Sequence, residues 1–388
     1  MMTKAGHMKN VRMAGLEVSK LCFGTLTLGP LQKGMSVEEG AELMVYAVSR
    51  GINFFDTAEL YGTYPHLKAA LRKVTPVIST KSYAYDTEGA RQSVERARRE
   101  MDLDVIDVFM MHEQETRLTL EGHREALEFY LEQKARGVIR AVGVSTHALE
   151  VVHACADMPE IDIIHPLVNI AGLGIIDADL SATVSGGLSP ADQMLQAISH
   201  AKHKGKGIFS MKPLGGGNLA KTYDECMAFV LGNENIHSIA VGMQTRDEID
   251  MNVAAFESFG EGSSMGAAPA GAGPNFAKPS QILVPADLRG RCARDDKYLH
   301  VADWCTGCGS CVGACQFGAL TLANSANSGA GAISGAGAGV AAGGDYGAGV
   351  AAVAQPRTPL GHPIVNKARC VTCGYCSRRC PVFALKIY

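Results

Sequence analysis

Several features of membrane, secreted and nucleic-acid-binding proteins are missing from this 388-residue sequence. No run approaches the roughly 18–20 uncharged apolar residues of a membrane-spanning helix. The start of the chain, MMTKAGHMKN, has no apolar signal core. Neither sign of charge dominates, since 36 Lys and Arg stand against 39 Asp and Glu, and no basic stripe of the kind that binds nucleic acid is present. We therefore expect a cytoplasmic protein with no membrane and no nucleic-acid partner.

Cysteine, in contrast, is abundant. Eight of the twelve cysteines lie between Cys305 and Cys380. In a cytosolic chain such clustering indicates metal or redox chemistry rather than disulfide bonds. The other four are scattered, and we expect the first three to be small buried thiols: Cys22, Cys155, Cys226 and Cys292.

From about residue 18 to residue 258, short apolar runs alternate with amphipathic stretches of helical period. The runs predict eight strands, at Lys20–Thr25, Phe54–Asp56, Val77–Lys81, Ile106–His112, Ala141–Thr146, Ile163–Asn169, Gly207–Lys212 and Ser238–Gly242. The amphipathic stretches predict helices at Val37–Arg50, Glu88–Met101, Arg124–Arg136, Ala148–Ala156, Pro190–His203, Asp224–Leu231 and Arg246–Phe256. Three of these helices have N-terminal signals, at Ser36 with Glu39, Ser189 with Pro190, and Thr245 with Glu248.

Eight strand–helix alternations over this length are typical of a (β/α)8 TIM barrel. A doubly wound parallel sheet is the alternative, but no G-x-G-x-x-G sequence follows the first predicted strand. We therefore predict an α/β fold with a TIM barrel over residues 1–258.

The composition changes after the predicted barrel. Residues 259–279 (GEGSSMGAAPAGAGPNFAKPS) have the composition of a flexible linker. Residues 280–388 contain both cysteine clusters and predict a second, smaller domain. Within it, nineteen of the twenty-six residues from 329 to 354 are Gly or Ala. This bias predicts an insertion, over residues 324–356, that forms a surface loop; a packed glycine-rich coil is the alternative.

The eight clustered cysteines form two copies of the motif C-x2-C-x2-C-x3-C: Cys305, Cys308, Cys311, Cys315, then Cys370, Cys373, Cys376 and Cys380. Three thiolates at this spacing can wrap one face of a cubane cluster, and the fourth ligand must come from elsewhere. A pair of zinc sites is the alternative, but zinc usually takes four tetrahedral ligands as two separated pairs. The doubled motif therefore predicts two [4Fe–4S] clusters.

This region resembles the bacterial-type ferredoxins, which implies a small α+β ferredoxin-like domain. In that family the fourth cysteine of each motif binds the other cluster. The resemblance thus implies two ligand sets: Cys305, Cys308, Cys311 with Cys380, and Cys370, Cys373, Cys376 with Cys315. Gln316 replaces the proline that commonly follows the fourth cysteine, and the Gly/Ala insertion is a second departure. Neither departure removes a ligand.

Four chemically active side chains fall at the carboxyl ends of successive predicted strands, where TIM barrels carry their active sites. Asp56 ends the second strand, and Tyr61 lies in the loop that follows (FDTAELYG). Lys81 ends the third strand (VISTK), and His112 ends the fourth (VFMMHE). Each residue type alone is common as a surface or structural residue, whereas the combination indicates a catalytic site. Residues 11–258 resemble the aldo-keto reductases, whose catalytic tetrad is Asp, Tyr, Lys and His at these strand ends.

The chemistry of carbonyl reduction explains these residue types. The alkoxide that hydride addition creates needs a proton donor, and a tyrosine with the ordinary pKa of about 10 is a weak acid at neutral pH. A neighbouring Lys81 ammonium would lower the pKa of Tyr61, and Asp56 would hold Lys81 by a charge-assisted hydrogen bond. His112 would orient the carbonyl oxygen.

The resemblance also implies a binding site for NADP or NAD. Its nicotinamide end would be held by Gly24, Thr25, Ser145, Thr146, Asn169 and Met211, the last at a position that is aromatic in many members. The stretch from Gly215 to Gly217 either lets backbone amides approach the pyrophosphate or is a plain glycine loop. The family's adenine-ribose positions correspond to Gly242, Gln244, Thr245 and Asn252.

Glu248 stands where NADP-specific members have an arginine. A carboxylate there would repel a 2′-phosphate, although Arg246 could still receive it. Thr245 and Glu248 also form a simple capping box, which would make Glu248 structural. The choice between NADH and NADPH stays open.

These observations predict an oxidoreductase of the aldo-keto reductase type, with a small carbonyl or alcohol substrate and a redox protein as partner. It would couple NAD(P)(H)-dependent hydride transfer to electron transfer through two [4Fe–4S] clusters. Nicotinamide transfers an electron pair and each cluster accepts one electron, so a flavin in the barrel or in a partner would resolve the mismatch. The sequence shows no flavin motif. The alternative is a non-catalytic, nucleotide-binding redox sensor or electron-carrier subunit, against which the intact tetrad argues.

Overall fold

A computed structural model of the chain describes residues 8–176, 178 and 187–260 and, in the C-terminal part, residues 299–301, 305, 309, 311–312, 320–322, 363–366 and 385–387. The chain divides into two compact units, Met1–Leu283 and Val284–Tyr388. No helix within the described ranges is long and apolar enough to cross a membrane.

The first unit contains a closed barrel of eight parallel strands. A two-stranded hairpin precedes it, formed by β1 (Asn10–Met13) and β2 (Leu16–Ser19). The barrel strands are β3 (Leu21–Gly24), β4 (Phe54–Asp56), β5 (Val77–Ser82), β6 (Ile106–Gln114), β7 (Ile139–Thr146), β8 (Ile163–Pro166), β9 (Gly207–Met211) and β10 (Ser238–Gly242). They are hydrogen-bonded in chain order, and β10 closes onto β3. The predicted TIM barrel is confirmed, and the doubly wound alternative is excluded.

The helices that connect these strands are α1 (Val37–Ser49), α2 (Tyr64–Leu71), α3 (Thr87–Met101), α4 (Arg117–Gly122), α5 (Arg124–Ala135), α6 (Leu149–Ala156), α7 (Pro190–His203), α8 (Tyr223–Leu231) and α9 (Arg246–Gly260). Three begin with a complete capping box, formed by Ser36 with Glu39, by Thr116 with Thr119 and by Ser189 with Asp192. These reciprocal bonds satisfy backbone N–H groups that a helix start leaves without a partner.

All eight predicted strands are present, with small differences at their ends. The largest is in β8, which stops at Pro166, three residues before the predicted end at Asn169. Proline has no N–H to donate to the ladder, and beyond it only an isolated bridge joins Leu167 to Met211. The sequence patterns did not predict the β1–β2 hairpin or the two short helices α2 and α4.

The barrel interior is filled by one of two apolar clusters. Phe54, Val108 and Phe209 from the strands pack there with Met13 and Val18 of the hairpin. The second cluster joins the outer faces of the strands to the surrounding helices. The hairpin thus supplies side chains to the interior packing, and the functional groups lie at the carboxyl ends of the strands.

The described part of the second unit consists mainly of four short strands. They are β11 (Leu299–Val301), β12 (Leu320–Leu322), β13 (Pro363–Val365) and β14 (Leu385–Ile387). β11 pairs antiparallel with β14, and β12 pairs antiparallel with β13. The predicted linker begins at residue 259, whereas α9 continues to Gly260. Residues 261–298 and the predicted insertion lie outside the described residues, and the proposed domain limits stay predictions.

Candidate active site and cysteine region

A buried ion pair occupies the carboxyl end of the barrel. Lys81 on β5 donates from Nζ to both carboxylate oxygens of Asp56, each at 2.7 Å, and to the Thr57 carbonyl oxygen at 2.8 Å. The side chains are only 1% and 6% exposed. Parallel pairing of β4 with β5 sets Asp56 opposite Ser79, so that Lys81 lies on the same face two residues further on. All three ammonium hydrogens have acceptors, which offsets the cost of burying the charge.

The charge state of this pair follows from its neighbours. Burial raises the pKa of the Asp56 carboxyl, but the attraction of Lys81 and His165 outweighs burial and leaves that pKa below its ordinary value. The pKa of His165 is itself lowered, because burial outweighs the attraction of Asp56. His165 is therefore neutral at pH 7, and Lys81 supplies the positive charge that keeps Asp56 ionised.

Tyr61 lies beside this pair, on a single 3₁₀ turn (Glu59–Tyr61) after β4. Lys81 Nζ is 5.1 Å from the centre of the Tyr61 ring. Gly62 ends the turn with a φ of 66°, in the left-handed region that glycine tolerates. Tyr61 is half-buried, in contrast to the fully buried ammonium behind it.

His112 on β6 completes the group that the sequence singled out. Its ring is edge-on to Tyr61, with centroids 5.7 Å apart. It is also stacked on Tyr83, with centroids 4.2 Å apart and planes inclined by 16°. The structure therefore brings Asp56, Tyr61, Lys81 and His112 together at one end of the barrel. The arrangement places a proton-donating group, the Tyr61 hydroxyl, on a residue next to the fixed Lys81 ammonium.

The residues predicted to hold the nicotinamide lie on the same edge, and the fold engages several of them. Ser145 Oγ accepts a hydrogen bond from the Glu113 N–H. Thr146 Oγ1 donates to the Gln114 carbonyl oxygen and accepts from Ala148 N–H. Asn169 uses both side-chain groups on the Leu173 backbone, at 2.9 Å each. Met211 is half-buried at the end of β9.

At the start of the barrel, Gly24 and Thr25 lie beside a buried row of hydroxyls. Thr25 Oγ1 is 2.9 Å from Thr63 Oγ1, which is 2.8 Å from Thr57 Oγ1. A Cβ on Gly24 would lie 3.3 Å from the Val241 carbonyl oxygen of β10. The bare backbone of Gly24 thus lets β3 and β10 approach at this edge.

The glycines after β9 leave open space beside the backbone. Gly215, Gly216 and Gly217 have φ values of 56°, 68° and 91°. A Cβ added to Gly216 or Gly217 would meet no atom within 4 Å. The positive φ values favour glycine at all three positions, and the space beside Gly216 and Gly217 is open. Both features fit a segment whose backbone N–H groups a phosphate could approach.

The residues after β10 form a helix start. Glu248 N–H donates to Thr245 Oγ1, while the Glu248 carboxylate accepts from Gln244 N–H at 2.6 Å. The Glu248 carboxylate thus bonds to the N–H of Gln244, the residue before Thr245, and not to Thr245 itself. This bond gives the Glu248 side chain a structural role. The Arg246 guanidinium lies 4.9 Å from the centre of the Tyr46 ring on α1.

Two other predicted positions are held within the chain. Asn252 accepts from Tyr223 Oη at 2.9 Å and donates to the Glu248 carbonyl oxygen. A Cβ on Gly242 would lie 2.3 Å from Thr27 Cγ2. Gly242 therefore has a packing role.

Three residues of this edge were not predicted. Tyr83 donates to the Glu113 carboxylate at 2.7 Å, and Glu113 has a strained φ of 47°. His165 lies 3.7 Å from Asp56. Of these three, only His165 could have been noticed in the sequence. It lies inside a predicted strand, on the same face as the apolar Ile163, which indicates a buried histidine.

Two of the eight motif cysteines are described. Cys305 is half-buried and Cys311 is buried. The other six lie outside the described residues: Cys308, Cys315, Cys370, Cys373, Cys376 and Cys380. Among the scattered cysteines, Cys22, Cys155 and Cys226 are buried as expected, and burial raises the pKa of each thiol. Cys292 lies outside the described residues.

The strand pairing relates the two cysteine motifs to each other. The first motif lies in sequence between β11 and β12, and the second between β13 and β14. Because β11 pairs with β14, the chain just before Cys305 lies beside the chain just after Cys380. Because β12 pairs with β13, the same holds for the segments after Cys315 and before Cys370. Strands paired in this way are compatible with the sharing of cysteines between the two motifs that the resemblance to ferredoxins implies.

Two family models match the chain. Residues 20–228 match the aldo/keto reductase family, and residues 304–385 match a 4Fe-4S dicluster domain. Neither model supports the flavin considered from the sequence.

Individual relatives agree with the first match. L-galactose dehydrogenase from Arabidopsis thaliana is 24% identical, over 62% of this chain and 85% of that protein. D-threo-aldose 1-dehydrogenase from a Pseudomonas species is 24% identical, over 39% of this chain and 57% of that protein. Among solved structures, a Pseudomonas aeruginosa protein described as an aldo-keto reductase has a TM-score of 0.54 at 23% identity and covers 66% of this chain and 96% of its own. The chain therefore belongs to the aldo/keto reductase family and has a 4Fe-4S dicluster domain C-terminal to its barrel.

Proposed function

We propose that the protein is an NAD(P)(H)-dependent oxidoreductase that interconverts a carbonyl and an alcohol in the barrel and transfers single electrons through two [4Fe–4S] clusters. The observation that carries the first half is the Lys81 ammonium. It is fixed by Asp56 and Thr57 on one side and lies 5.1 Å from the Tyr61 ring on the other.

In this proposal Tyr61 moves the proton. Its hydroxyl donates to the carbonyl oxygen during reduction and receives the alcohol proton during oxidation. Lys81 stabilises the phenolate that develops, and its own position is fixed by Asp56. His112, held by the stacked Tyr83 ring, orients the substrate oxygen. The four roles require no movement of the buried pair.

The nicotinamide cofactor would supply a hydride to the carbonyl or take one from the alcohol. Met211 and Ser145 would border its ring, and the open backbone of Gly216 and Gly217 would face the diphosphate. The first turn of α9 would receive the adenine ribose. There Arg246 is the cationic contact for a 2′-phosphate, and Glu248 is the opposing charge.

The two clusters would be held by the ligand sets that share a cysteine between motifs. Strand pairing supports this assignment, since β14 returns the chain after Cys380 to the start of the first motif. Each cluster would take one electron at a time. Oxidation of one alcohol would pass a hydride to NAD(P)⁺, and reoxidation of the NAD(P)H would release a proton and two electrons, one for each cluster. A redox protein would be the partner that accepts these electrons.

The names of two relatives, which refer to the oxidation of sugars, support a substrate class. We therefore propose a small hydroxylated aldehyde or alcohol, with aldoses as the first compounds to test. The cytoplasmic location, and the lack of nucleic-acid and membrane partners, belong to the same proposal.

The test uses the full, iron-replete chain under anaerobic conditions. An aldose is added with NAD or NADP, and both nucleotide reduction and the visible absorption of the clusters are recorded. We expect reduced nucleotide to form and the cluster absorption to bleach, with slower bleaching in Tyr61→Phe. Nucleotide turnover with unchanged clusters would refute the coupling alone. A lack of turnover with every aldose and simple aldehyde would refute the enzymatic proposal and favour an electron-carrier subunit.

A further inference from the structure

A histidine on β8 lies directly behind the Asp56–Lys81 pair. His165 is 1% exposed, and its ring stacks on Phe209 with centroids 3.9 Å apart and planes inclined by 19°. Phe209 in turn packs against Phe54 in the barrel interior. These contacts hold the imidazole in one orientation.

The hydrogen bonds of His165 define its protonated nitrogen. Nδ1 lies 2.6 Å from the Phe209 carbonyl oxygen. A carbonyl oxygen can only accept, so Nδ1 must carry a hydrogen. A neutral imidazole has only one such hydrogen, and Nε2 therefore presents a lone pair.

Nε2 lies next to the Asp56 carboxylate. Nε2 is 3.7 Å from Asp56 Oδ2, the same oxygen that accepts from Lys81 at 2.7 Å. A neutral His165 has no N–H to donate to this oxygen, so the hydrogen bond from Lys81 to Asp56 is undisturbed. An imidazolium would direct an N–H at the oxygen and compete with Lys81. The protonation state of His165 would therefore change how strongly Asp56 binds the ammonium.

Charged and titratable groups reach this region from three strands. Asp56 on β4 favours the imidazolium, whereas Lys81 on β5 opposes it. Cys22 on β3 is close enough to interact with Asp56, but burial raises the pKa of its thiol well above neutral pH and leaves it uncharged. At neutral pH the neutral, Nδ1-protonated form of His165 prevails.

We infer that His165 is a positioning residue for the Asp56–Lys81 pair, which it leaves intact when neutral and weakens when a proton from solvent binds to Nε2. As a statement about catalysis this rests on the proposed carbonyl–alcohol function. The contact between His165 and Asp56 can be tested without any activity.

The first test is histidine side-chain NMR on the full chain with ¹⁵N-labelled histidine, assigned by comparison with His165→Asn. We expect the Nδ1-protonated tautomer at pH 7.5. In Asp56→Asn the carboxylate charge that favours the imidazolium is gone, so the pKa of His165 should fall further. An Nε2-protonated tautomer, or the same titration in both proteins, would overturn the inference whether or not the protein turns over aldoses.

The second test is the pH profile of kcat in His165→Asn. Its side-chain amide can keep the bond to the Phe209 carbonyl but cannot titrate. We expect kcat at pH 8 within about threefold of the parent, and an acid-side decline displaced by about half a pH unit or more to lower pH. His153→Asn, on the exposed face of α6, is the control and should keep the parent profile. Superimposable profiles for the parent and His165→Asn would show that His165 only fills space.

Discussion

The barrel and the cysteine-rich unit are organised in opposite ways. In the barrel, Lys81 and Asp56 sit on neighbouring strands above a packed interior, and each has its hydrogen-bond partners within the chain. In the second unit the described elements are strands of three residues each. The buried side chains of this unit include Leu320, Leu385 and the motif cysteine Cys311.

This difference indicates where each unit obtains its stability. A large apolar interior can hold a site ready before any cofactor binds, since burial contributes about 25 cal/mol per Å². Small domains with short strands usually draw folding free energy from metal ligation. The barrel should therefore keep its fold without its cofactor, whereas the second unit should depend on its clusters.

Removing the iron should have the largest effect. Chelation of iron in the full chain should abolish hydrogen-exchange protection in β11–β14, because the short strands lose the ligation that holds them together. The amides of β5 and β6 should keep theirs. Protection that persists in β12 and β13 without iron would show that the second unit folds on its apolar contacts alone.

The proposed cluster ligands can be tested with a matched pair of cysteine variants, one in the second unit and one in the barrel. Cys315→Ala should reduce the iron content from about eight to about four atoms per chain, since it takes one ligand from one cluster. Cys226→Ala, a buried cysteine in α8, should leave iron unchanged. Stoichiometric zinc without iron in anaerobically prepared protein would contradict the assignment of both clusters.

Tyr61→Phe tests the barrel half of the comparison. The variant keeps the ring beside Lys81 but loses the proton donor, so kcat should fall by about 10²–10⁴-fold, or about 3–5 kcal/mol of barrier. Nucleotide binding should be retained. Single-turnover nucleotide oxidation with a reducible carbonyl measures the effect, and a rate within about threefold of the parent would remove Tyr61 from the mechanism.

Lys81→Met should be nearly as harmful to kcat, and the two losses should not add, because both act on one proton transfer. It should also destabilise the barrel by about 3–5 kcal/mol, since the buried Asp56 carboxyl would lose its counter-ion and the hydrogen bonds that Lys81 donates. Tyr61→Phe should leave the melting temperature close to that of the parent. Additive losses of kcat would place the two residues in different steps.

A smaller effect concerns the dependence of barrel stability on pH. His237 Nδ1 accepts from Ile208 N–H at 2.9 Å, and Lys202 lies against the same ring. Burial, followed by the Lys202 charge, lowers the pKa of His237 to about 4. The unfolded chain, with its ordinary pKa of about 6.5, binds the proton first. The free energy of unfolding should therefore decrease as the pH falls from about 6.5 to about 4, by roughly 1–2 kcal/mol for this partly exposed group.

His237→Asn retains an acceptor for Ile208 and cannot titrate, so its stability should depend less on pH over this range. His203→Asn, at the exposed end of α7, is the control. The measurement is urea unfolding followed by a barrel-specific amide probe. Equal slopes with pH in all three proteins would exclude His237 as the titrating group.

The smallest expected effect is on nucleotide choice. The Glu248 carboxylate accepts a hydrogen bond from Gln244 N–H, and Arg246 lies in the same turn. NADH and NADPH should therefore bind within about tenfold, or about 1.4 kcal/mol. Arg246→Ala should weaken the binding of NADPH more than that of NADH, and Glu248→Gln should strengthen the binding of NADPH. Titration of both nucleotides measures this, and a thousandfold preference for NADPH would refute the role of Glu248.

Much of the barrel could be predicted from the sequence because its signals are local. The strand Phe54–Asp56 and the helix Pro190–His203 have the same limits in the prediction and in the structure. The grouping of Asp56, Tyr61, Lys81 and His112 could be predicted as well, because parallel strands bring their carboxyl ends to one edge. The hairpin β1–β2 was missed, since four-residue strands give too short an alternation to stand out.

The roles of His165 and Glu113 could not be predicted in the same way. The partners of His165 are the Phe209 carbonyl oxygen and Asp56, both far away in sequence. The strained φ of Glu113 arises at a register shift between β6 and β7, which no local pattern of residue types shows. Reactive side chains at strand ends can be found by locating the strands in the sequence. The tautomer of a histidine and the strain of a backbone angle depend on contacts that exist only in the assembled barrel.

The pairing of β12 with β13 has a consequence for the Gly- and Ala-rich tract between them. Leu322 and Pro363 are partners in that pairing, so the two points at which the tract is attached face each other. The entropic cost of closing a flexible loop grows only with the logarithm of its length, and doubling the length costs about 0.6 kcal/mol. If the tract forms the surface loop that its composition predicts, its length should therefore have little effect on the stability of the unit. The length of such a loop would be nearly neutral for stability, and selection on the ligand geometry of the clusters need not act on it.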